Sequence, residues 1–481
     1  MPAIGGTGKL RRRRSVPDDA SFLRERWPGW QEELFDLLRI PSISTVPSTA
    51  REVLRAASYV ASLAVRAGIL NARVEKTDGH PVVVGSRIDD PHAPVVLVYG
   101  HYDVQPSDPV ERWTSPPFEP TVRGGRLFAR GASDDKAPLF TALKALEALV
   151  ALHGTLPVGV RLLLEGEEEL GSPSLGPYVQ DHSEELQADV VISADGAMWK
   201  PDEPCLTVGL RGLAALELTV RTAKSDLHSG RHGGGVPNAL HVLAKLVASL
   251  HEEGGRIAVR GFYDDVRDPS PEERREIRRL DFDEADYQRI HHIVGLTGEA
   301  GFSTLEREWL RPTLDVNGLW GGYEGEGSKT VIPAEARAKI SCRLVPEQDP
   351  ERIAALVRSH LERHAPKWSE VQVTVLPSRA HPYRIPDDHP ILALAEGALV
   401  GVTGRRPERV WMGATVPAAE VFERALGAHT LFFSFSTTSD LVHAPNESFS
   451  LDRFHLGARA WMSLLRELSG AGAAALRGRG L

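Results

Sequence analysis

A histidine and an aspartate follow an apolar segment near position 100. The segment VVLVYG has the continuous apolar character of a buried strand, and His101 and Asp103 come directly after it. In open α/β sheets, binding sites lie beyond the carboxyl ends of the strands. His101 could therefore bind a metal ion, with Asp103 fixing the tautomer of its ring. The alternative is a loop histidine that is hydrogen-bonded to a neighbouring aspartate.

Further acidic side chains follow, or lie close to, other strand-like segments. Four acids in five residues, after RLLL, repel one another and need full solvation or a cation. Two adjacent aspartates could cap the helix that follows them, or could place one carboxylate over the edge of a sheet. These acids are Glu165, Glu167, Glu168 and Glu169 after RLLL, Asp134 and Asp135 before a helix, and Asp195 after VVIS.

One more histidine, His443, lies in a polar loop after the apolar segment 431–435. Alone it is a weak signal, but the set as a whole offers two histidines, several carboxylates and no thiolate. Such donors suit zinc, cobalt or manganese in a hydrolytic site. One shared carboxylate with two ligands on each side would build a two-metal site, with the ions about 3.5–4 Å apart.

Strand and helix signals alternate in the first half of the chain, which predicts an α/β fold with a mostly parallel sheet. Helical spacing of apolar residues, or a short buried-type run, marks each segment. The predicted helices are 51–68 and 138–152, and the predicted strands are 82–85, 94–99, 158–164 and 190–192.

The pattern changes near Gly212, where strands acquire one polar face. From Ala336 to Leu344 every second residue is apolar, which predicts a half-buried strand. Similar strands at 216–220 and 371–376, with helices at 238–251 and 350–364, predict a small α+β domain. It would occupy residues 212–381, inserted between 20–211 and 382–470 of the first domain. Residues 1–19 are expected to form a disordered basic tail, and 471–481 a frayed tail.

Composition excludes several classes of protein. With 481 residues the chain is long enough for two or three domains. A net charge of −9 argues against nucleic acid or a membrane surface as a partner. Two cysteines, Cys205 and Cys342, exclude a disulfide framework and a cysteine-rich zinc fold. Four arginines at 11–14 precede two aspartates rather than an apolar segment, so no signal peptide is predicted and a cytoplasmic protein is expected.

The combination HYDVQP, RGASDDKA, LEGEEELGS, SADG and the loop of His443 resembles the di-zinc metallopeptidases. That family includes carnosine dipeptidases, aminoacylase, glutamate carboxypeptidases and succinyl-diaminopimelate desuccinylase. The resemblance covers about residues 20–470. A long stretch between Gly254 and Gly327, with GFYDDVRDPSPEER, is similar to the larger dipeptidase branch. The family's fold implies a zinc-peptidase catalytic domain with an inserted lid and dimerisation domain.

The resemblance also implies roles for the ligand candidates. His101 and Asp195 would bind one zinc ion and Glu169 and His443 the other, while Asp134 would bridge both. Manganese or cobalt could replace zinc. In the same comparison Asp103 orients His101, and Glu168 is the general base.

Further positions correspond to the family's substrate site. His228, in DLHSGRHGGGVPN, matches a lid histidine that reaches a substrate across a dimer interface, which implies a homodimer. Thr330 lies in the matching lid segment, and Arg343 matches an arginine that holds the substrate carboxylate. The loop GATVP, with Gly413, Ala414, Thr415 and Val416, matches a loop whose backbone amides accept that carboxylate.

The expected function is metal-dependent hydrolysis of the peptide bond of dipeptides or short peptides with a free carboxylate. An N-acyl amino acid amidohydrolase, of the aminoacylase or desuccinylase type, is the alternative with the same chemistry. A non-catalytic metal-binding relative is a third possibility, and the presence of every ligand and of the base argues against it.

Overall fold

The computed structural model describes residues 18–477, apart from the side chains of residues 378 and 438. Most of the predicted basic tail, residues 1–17, lies outside the described residues. Its last two residues belong to the first helix, since the Asp18 side chain caps that helix by accepting from the Ser21 amide at 3.0 Å and Asp19 begins it. The first domain therefore starts slightly before residue 20.

The described chain contains both strands and helices, which alternate through its first two hundred residues. The strands, in chain order, are β1 (Arg73–Glu75), β2 (Val82–Arg87), β3 (Val95–His101), β4 (Thr121–Arg123), β5 (Arg126–Phe128), β6 (Gly159–Glu165), β7 (Val190–Ser193), β8 (Cys205–Leu210), β9 (Gly212–Arg221), β10 (Leu227–His228), β11 (Thr313–Gly321), β12 (Val331–Ile332), β13 (Glu335–Leu344), β14 (Glu370–Ala380), β15 (Tyr383–Arg384), β16 (Glu408–Met412), β17 (Thr430–Phe432) and β18 (Ser448–Ser450).

The helices, in chain order, are α1 (Asp19–Leu38), α2 (Ala50–Arg66), α3 (Lys136–His153), α4 (Leu175–Asp181), α5 (Ser183–Leu186), α6 (Ser229–His232), α7 (Ala239–Ala248), α8 (Pro271–Arg279), α9 (Glu284–His291), α10 (Thr304–Leu310), α11 (Pro350–His364), α12 (Pro390–Thr403), α13 (Ala418–Leu426), α14 (Leu451–Ser469) and α15 (Ala473–Leu476). Between residues 18 and 477, none of them is long and apolar enough to cross a membrane.

The larger sheet has nine strands, in the order β1-β2-β6-β3-β7-β17-β8-β15, with β16 beside β8. Its centre, β6, β3, β7 and β17, is parallel, whereas β1, β2 and β15 run antiparallel to their neighbours. The predicted α/β class is confirmed, and the predicted parallel character applies to the centre. Buried α3 starts just after Asp135 and ends at Gly154, whose φ of +81° suits glycine.

A second sheet of four antiparallel strands, β11-β13-β9-β14, forms the inserted part. The predicted alternation along β13 is observed, because Ala336, Ala338, Ile340, Cys342 and Leu344 are buried. Helices α7 and α11 pack against this sheet, and their apolar side chains form its core. The β9 strand begins at Gly212, so Arg211 alone connects it to the preceding strand, β8 of the larger sheet, and residues 381–382 connect β14 back to β15.

Part of the insertion packs against the first domain rather than against the second sheet. Ile277 of α8, together with Leu305 and Trp309 of α10, belongs to the larger apolar core. Both helices contact β16 of the nine-stranded sheet. Residues 212–381 therefore do not form one separately packed unit. Helix α8 is mostly charged, so its sequence gives little indication of the surface it covers.

The chain beyond residue 470 is packed as far as the structure describes it. Leu476 of α15 is fully buried in the larger core, and its carbonyl lies 3.0 Å from Nε2 of His389. A frayed tail over 471–477 is thus incorrect, because Leu476 supplies an apolar anchor within a Gly/Ala-rich segment. Residues 478–481 lie outside the described residues.

Candidate metal centre and substrate site

The ligand candidates meet at the carboxyl edge of the central parallel strands. His101 is the last residue of β3, Asp195 follows β7 by two residues, and Glu169 follows β6. Because β6, β3 and β7 are neighbouring parallel strands, their ends lie side by side. Asp134 lies in the loop before α3, and His443 lies in the loop between β17 and β18.

Two groups of potential metal-binding side chains share Asp134. The first group is His101, Asp134 and Asp195, and the second is Asp134, Glu169 and His443. Within each group one donor atom from each residue lies within 4.8 Å of the others. Nε2 of His101 is 2.9 Å from Oδ1 of Asp134, and Nε2 of His443 is 2.9 Å from Oδ2. The five predicted ligands are thus brought together, with Asp134 between the two histidines.

Imidazole nitrogens and carboxylate oxygens, without a thiolate, are the donors of these two groups. This set fits zinc, cobalt or manganese better than a soft metal ion. The shared carboxylate has its two oxygens directed to different histidines, so Asp134 could contribute to both ligand groups at once. The residues present therefore fit a divalent metal pair.

Asp103 lies behind His101, as predicted. One of its carboxylate oxygens is 3.3 Å from Nδ1 of His101, and both residues are fully buried. The same carboxylate accepts hydrogen bonds from Ser44 Oγ at 2.6 Å and from the amides of Glu168 and Glu169 at 3.2 and 3.1 Å. Asp103 therefore connects the orientation of the His101 ring to the loop that carries Glu168.

The surroundings of Glu168 shift its pKa upwards. Burial raises the pKa of Glu168 well above the usual range, and the charges of Asp195, Asp134 and Glu169 add to this shift, although His101 opposes it. Burial likewise raises the pKa of Asp195 to about 6. A carboxyl group with a raised pKa next to a hydrolytic centre is suited to move protons near neutral pH.

Contacts with carboxylates raise the pKa of both histidines. Hydrogen bonds to Asp134 and Glu169 raise the pKa of His443 to about 10. Burial would raise the pKa of Asp134, but its hydrogen bonds with His101 and His443 lower it. The same carboxylates would balance the charge of a bound cation.

Arg343 and the glycine-containing loop form a second group of functional candidates. Nη1 of Arg343 donates to Thr415 Oγ1 at 2.8 Å, and this hydroxyl donates to the carbonyl of Arg211 at 2.6 Å. Arg343 and loop 413–416, each expected to bind the substrate carboxylate, are therefore in contact, although Arg343 lies in β13 of the inserted sheet.

Arg211, which the sequence did not single out, also belongs to this group. Its Nε donates to the carbonyl of Gly413 at 3.0 Å, and its amide lies 3.3 and 3.2 Å from the carbonyls of Met412 and Ala414. Burial lowers the pKa of Arg211 to about 10, and the nearby charge of Arg343 contributes. The two cations lie close together where an anionic group of a ligand could balance them.

His228 and Thr330 lie apart from both groups. Strands β10 and β12 pair as a two-stranded ribbon, and the Ser229 amide donates to the carbonyl of Thr330 at 3.0 Å. Both side chains are exposed. Within residues 18–477, no hydrogen bond or ion pair joins His228 to the metal-ligand candidates or to Arg343.

Comparison with known proteins shows the family of the chain and its relatives. Residues 97–467 match the peptidase family M20/M25/M40, and the chain belongs to that family. The predicted family is therefore confirmed. The chain is 31% identical over 449 residues to the Cys-Gly metallodipeptidase dug1 of Schizosaccharomyces pombe, which covers 89% of this chain and 93% of that protein.

Two solved structures extend the comparison. An M20 family metallo-carboxypeptidase, Sso-CP2 from Sulfolobus solfataricus, has a TM-score of 0.81 and 31% identity, over 92% of this chain and 99% of that one. Human carnosine dipeptidase 1 has a TM-score of 0.79 and 26% identity, over 95% and 99%. These matches confirm the fold class and the predicted similarity to the larger dipeptidase branch.

Proposed function

We propose that the chain is a metal-dependent dipeptidase acting on dipeptides or short peptides with a free carboxylate. The observation that carries this proposal is the pair of ligand groups sharing Asp134, with the half-buried Glu168 beside them. The names of the relatives, a Cys-Gly metallodipeptidase and a carnosine dipeptidase, support dipeptides as substrates. They do not favour the alternative of an N-acyl amino acid amidohydrolase.

The proposed cofactor is a pair of zinc ions per chain, for which manganese or cobalt could substitute. His101 and Asp195 would hold one ion, Glu169 and His443 the other, and Asp134 both. When bound, the ions supply Lewis-acid polarisation of the substrate carbonyl and lower the pKa of the attacking water.

In this proposal Glu168 is the group that moves the proton. Its carboxylate accepts a proton from the water as the water attacks the peptide carbonyl, and then donates that proton to the leaving amine nitrogen. Asp103 contributes indirectly, because it fixes the His101 ring and accepts from the Glu168 amide.

Arg343 and the loop 413–416 are the proposed site for the carboxylate of the substrate. A guanidinium group offers two parallel donors that match a carboxylate. No acidic side chain forms an ion pair with Arg343 or Arg211 among the residues that the structure describes. Their charges therefore remain available for a substrate anion.

A homodimer built through the inserted sheet is also part of the proposal. Strand β11 is an edge strand with exposed Val316, Leu319 and Trp320, and Tyr323 is exposed just beyond it. Such an edge requires pairing or protection. Pairing across a two-fold axis would carry the exposed His228 and Thr330 towards the site of the other subunit.

A cytoplasmic location is supported by the two cysteines, both free thiols.

A substrate panel tests the proposed function. We expect zinc-loaded protein to hydrolyse Cys-Gly and carnosine faster than N-acetylated amino acids with the same carboxyl-terminal residue. Release of the last residue from tetrapeptides at a higher rate would favour the second candidate, a carboxypeptidase, which the likeness to the Sulfolobus solfataricus enzyme suggests. Hydrolysis of the N-acetylated amino acids alone would contradict the dipeptidase assignment.

A further inference from the structure

Glu447 is a fully buried carboxylate with no part in the proposed reaction. Its Oε1 accepts hydrogen bonds from the amides of Ser133 and Asp134 at 2.7 and 3.1 Å. Its Oε2 accepts from the amide of Gly131 at 3.0 Å and from the Arg130 guanidinium at 2.7 Å. One side chain thus accepts from three backbone amides of the loop that carries Asp134.

The same residue is part of the loop that carries His443. Four residues after His443, Glu447 leads directly into β18, which pairs with β5. Its own carbonyl accepts from the amide of Ala129 at 3.2 Å. The main chain of Glu447 therefore belongs to the His443 loop, whereas its side chain binds the Asp134 loop.

The loop around His443 has a backbone that needs such anchors. Leu441, His443 and Asn446 have φ values of +57°, +60° and +66°, in the left-handed region that residues other than glycine seldom adopt. Backbone strain of this kind persists where the surrounding structure over-determines the conformation. Asn446 supplies a second anchor, because its side chain accepts from the Thr114 amide at 2.8 Å.

Asp440, at the other end of the His443 loop, also binds the loop that carries Asp134. Its carboxylate is fully buried and accepts from Ser133 Oγ at 2.9 Å and from Arg453 at 2.6 and 2.9 Å. The His443 loop is thus attached to the Asp134 loop by one carboxylate before His443 and by another after it. Of these two carboxylates, it is Glu447 that bonds to the amide of Asp134 itself.

We propose that Glu447 is a positioning residue for the site formed by Asp134, Glu169 and His443. It fixes the position of the loop that carries Asp134 relative to the loop that carries His443, so that Nε2 of His443 faces Oδ2 of Asp134. This inference rests on the proposed function, since it takes that site to bind a divalent ion. Residues that orient metal ligands typically contribute about 10- to 100-fold to metal affinity.

A buried carboxylate elsewhere in the same domain provides a matched control. Asp189 is also buried, accepts from the Val95 amide at 2.7 Å and contacts Arg477. It precedes β7, at the opposite edge of the sheet from the ligand groups. Asp189→Asn therefore removes a similar buried charge without touching either ligand loop.

Zinc titrations of the metal-free full chain, with chelator competition, test the proposal. We expect two ions per wild-type chain. In Glu447→Gln a Gln amide cannot accept at both former carboxylate oxygens, and we expect one of the two ions, the one held by Asp134, Glu169 and His443, to bind about 10- to 100-fold more weakly. Asp189→Asn should bind both ions as the wild type does. If Glu447→Gln does not fold, Glu447→Asp, which keeps the charge but shortens the reach, should show the same loss.

Three results would overturn the proposal. Wild-type affinity for both ions in Glu447→Gln would show that Glu447 does not position the site. An equal loss in Asp189→Asn would show a general effect of destabilisation. If the wild type itself binds fewer than two ions, the two-metal part of the proposed function fails together with this inference, whereas the first two results leave that function intact.

Discussion

Nε2 of His443 lies 2.9 Å from Oδ2 of Asp134, although 309 residues separate the two in the sequence. The other oxygen of the same carboxylate lies 2.9 Å from Nε2 of His101. A carboxylate between two imidazoles is held with each oxygen assigned to a different neighbour. This arrangement underlies the proposed pair of metal ions and most of the tests below.

Glu168→Gln should abolish most turnover and leave metal binding unchanged. The amide keeps the size of the side chain but cannot accept the proton of the attacking water, and a general base typically contributes about 10²–10⁴-fold. The measurements are kcat on a dipeptide and the zinc content of the same sample. Glu169→Gln is the contrast, since loss of a ligand should lower the zinc content. If the two variants show the reverse pattern, the roles of these neighbouring residues are exchanged.

Zinc affinity should rise with pH because His443 must lose a proton to bind an ion. Hydrogen bonds to Asp134 and Glu169 raise the pKa of His443 to about 10 in the metal-free protein, and an imidazole ligand must be neutral. Below pH 10 the ion that binds His443 therefore displaces a proton, and its affinity should increase by at most about tenfold per pH unit for this one group.

Titrations at several pH values check this dependence, with His443→Ala as the comparison. The variant lacks the displaced proton, so its remaining zinc affinity should change less with pH. An identical slope in both proteins would show that His443 does not contribute a ligand.

Arg343→Ala should raise KM for dipeptides with a free carboxylate. A hydrogen bond to a charged group contributes about 1.5–3 kcal/mol, which corresponds to roughly 10- to 100-fold in KM. Substrates with an amidated terminus should lose much less. Arg337→Ala is a matched control, because Arg337 lies on the same face of β13 and pairs with Glu335. Equal losses with both kinds of substrate would remove Arg343 from carboxylate recognition.

Mixing His228→Ala chains with Glu168→Gln chains should restore activity that neither variant has alone. In a mixed dimer, one site combines an intact Glu168 with His228 of the other subunit. At equal amounts about a quarter of wild-type activity is expected, since half of the dimers are mixed and each has one complete site. The absence of recovery, with subunit exchange verified, would count against a role for His228 across the interface.

Much of the first domain could be predicted from the sequence because its central strands are short apolar runs. The run before His101 and the run before Glu165 each end at the edge where the site lies, and parallel pairing then brings their ends together. The alternation along β13 likewise revealed its buried face. These signals are local, and the structure agrees with them.

Other features depend on contacts that leave no local pattern. Glu447 and Arg211 are single charged residues whose importance lies in the backbone groups they bind, far away in the sequence. The charged helix α8 carries one buried apolar residue, Ile277, and this single residue gave no sign that the helix packs on the first domain. Leu476 anchors a segment whose Gly/Ala-rich composition predicts fraying. Each of these outcomes is decided by tertiary packing.

Removal and return of metal tests the central claim most directly. The protein stripped with a chelator should lose hydrolysis of Cys-Gly, and activity should return in proportion to added zinc until about two ions per chain are bound. Asp134→Ala, which lacks the shared carboxylate, should not recover under the same conditions. Full dipeptide hydrolysis by the stripped protein, or full recovery in Asp134→Ala, would contradict a metal-dependent dipeptidase centred on Asp134.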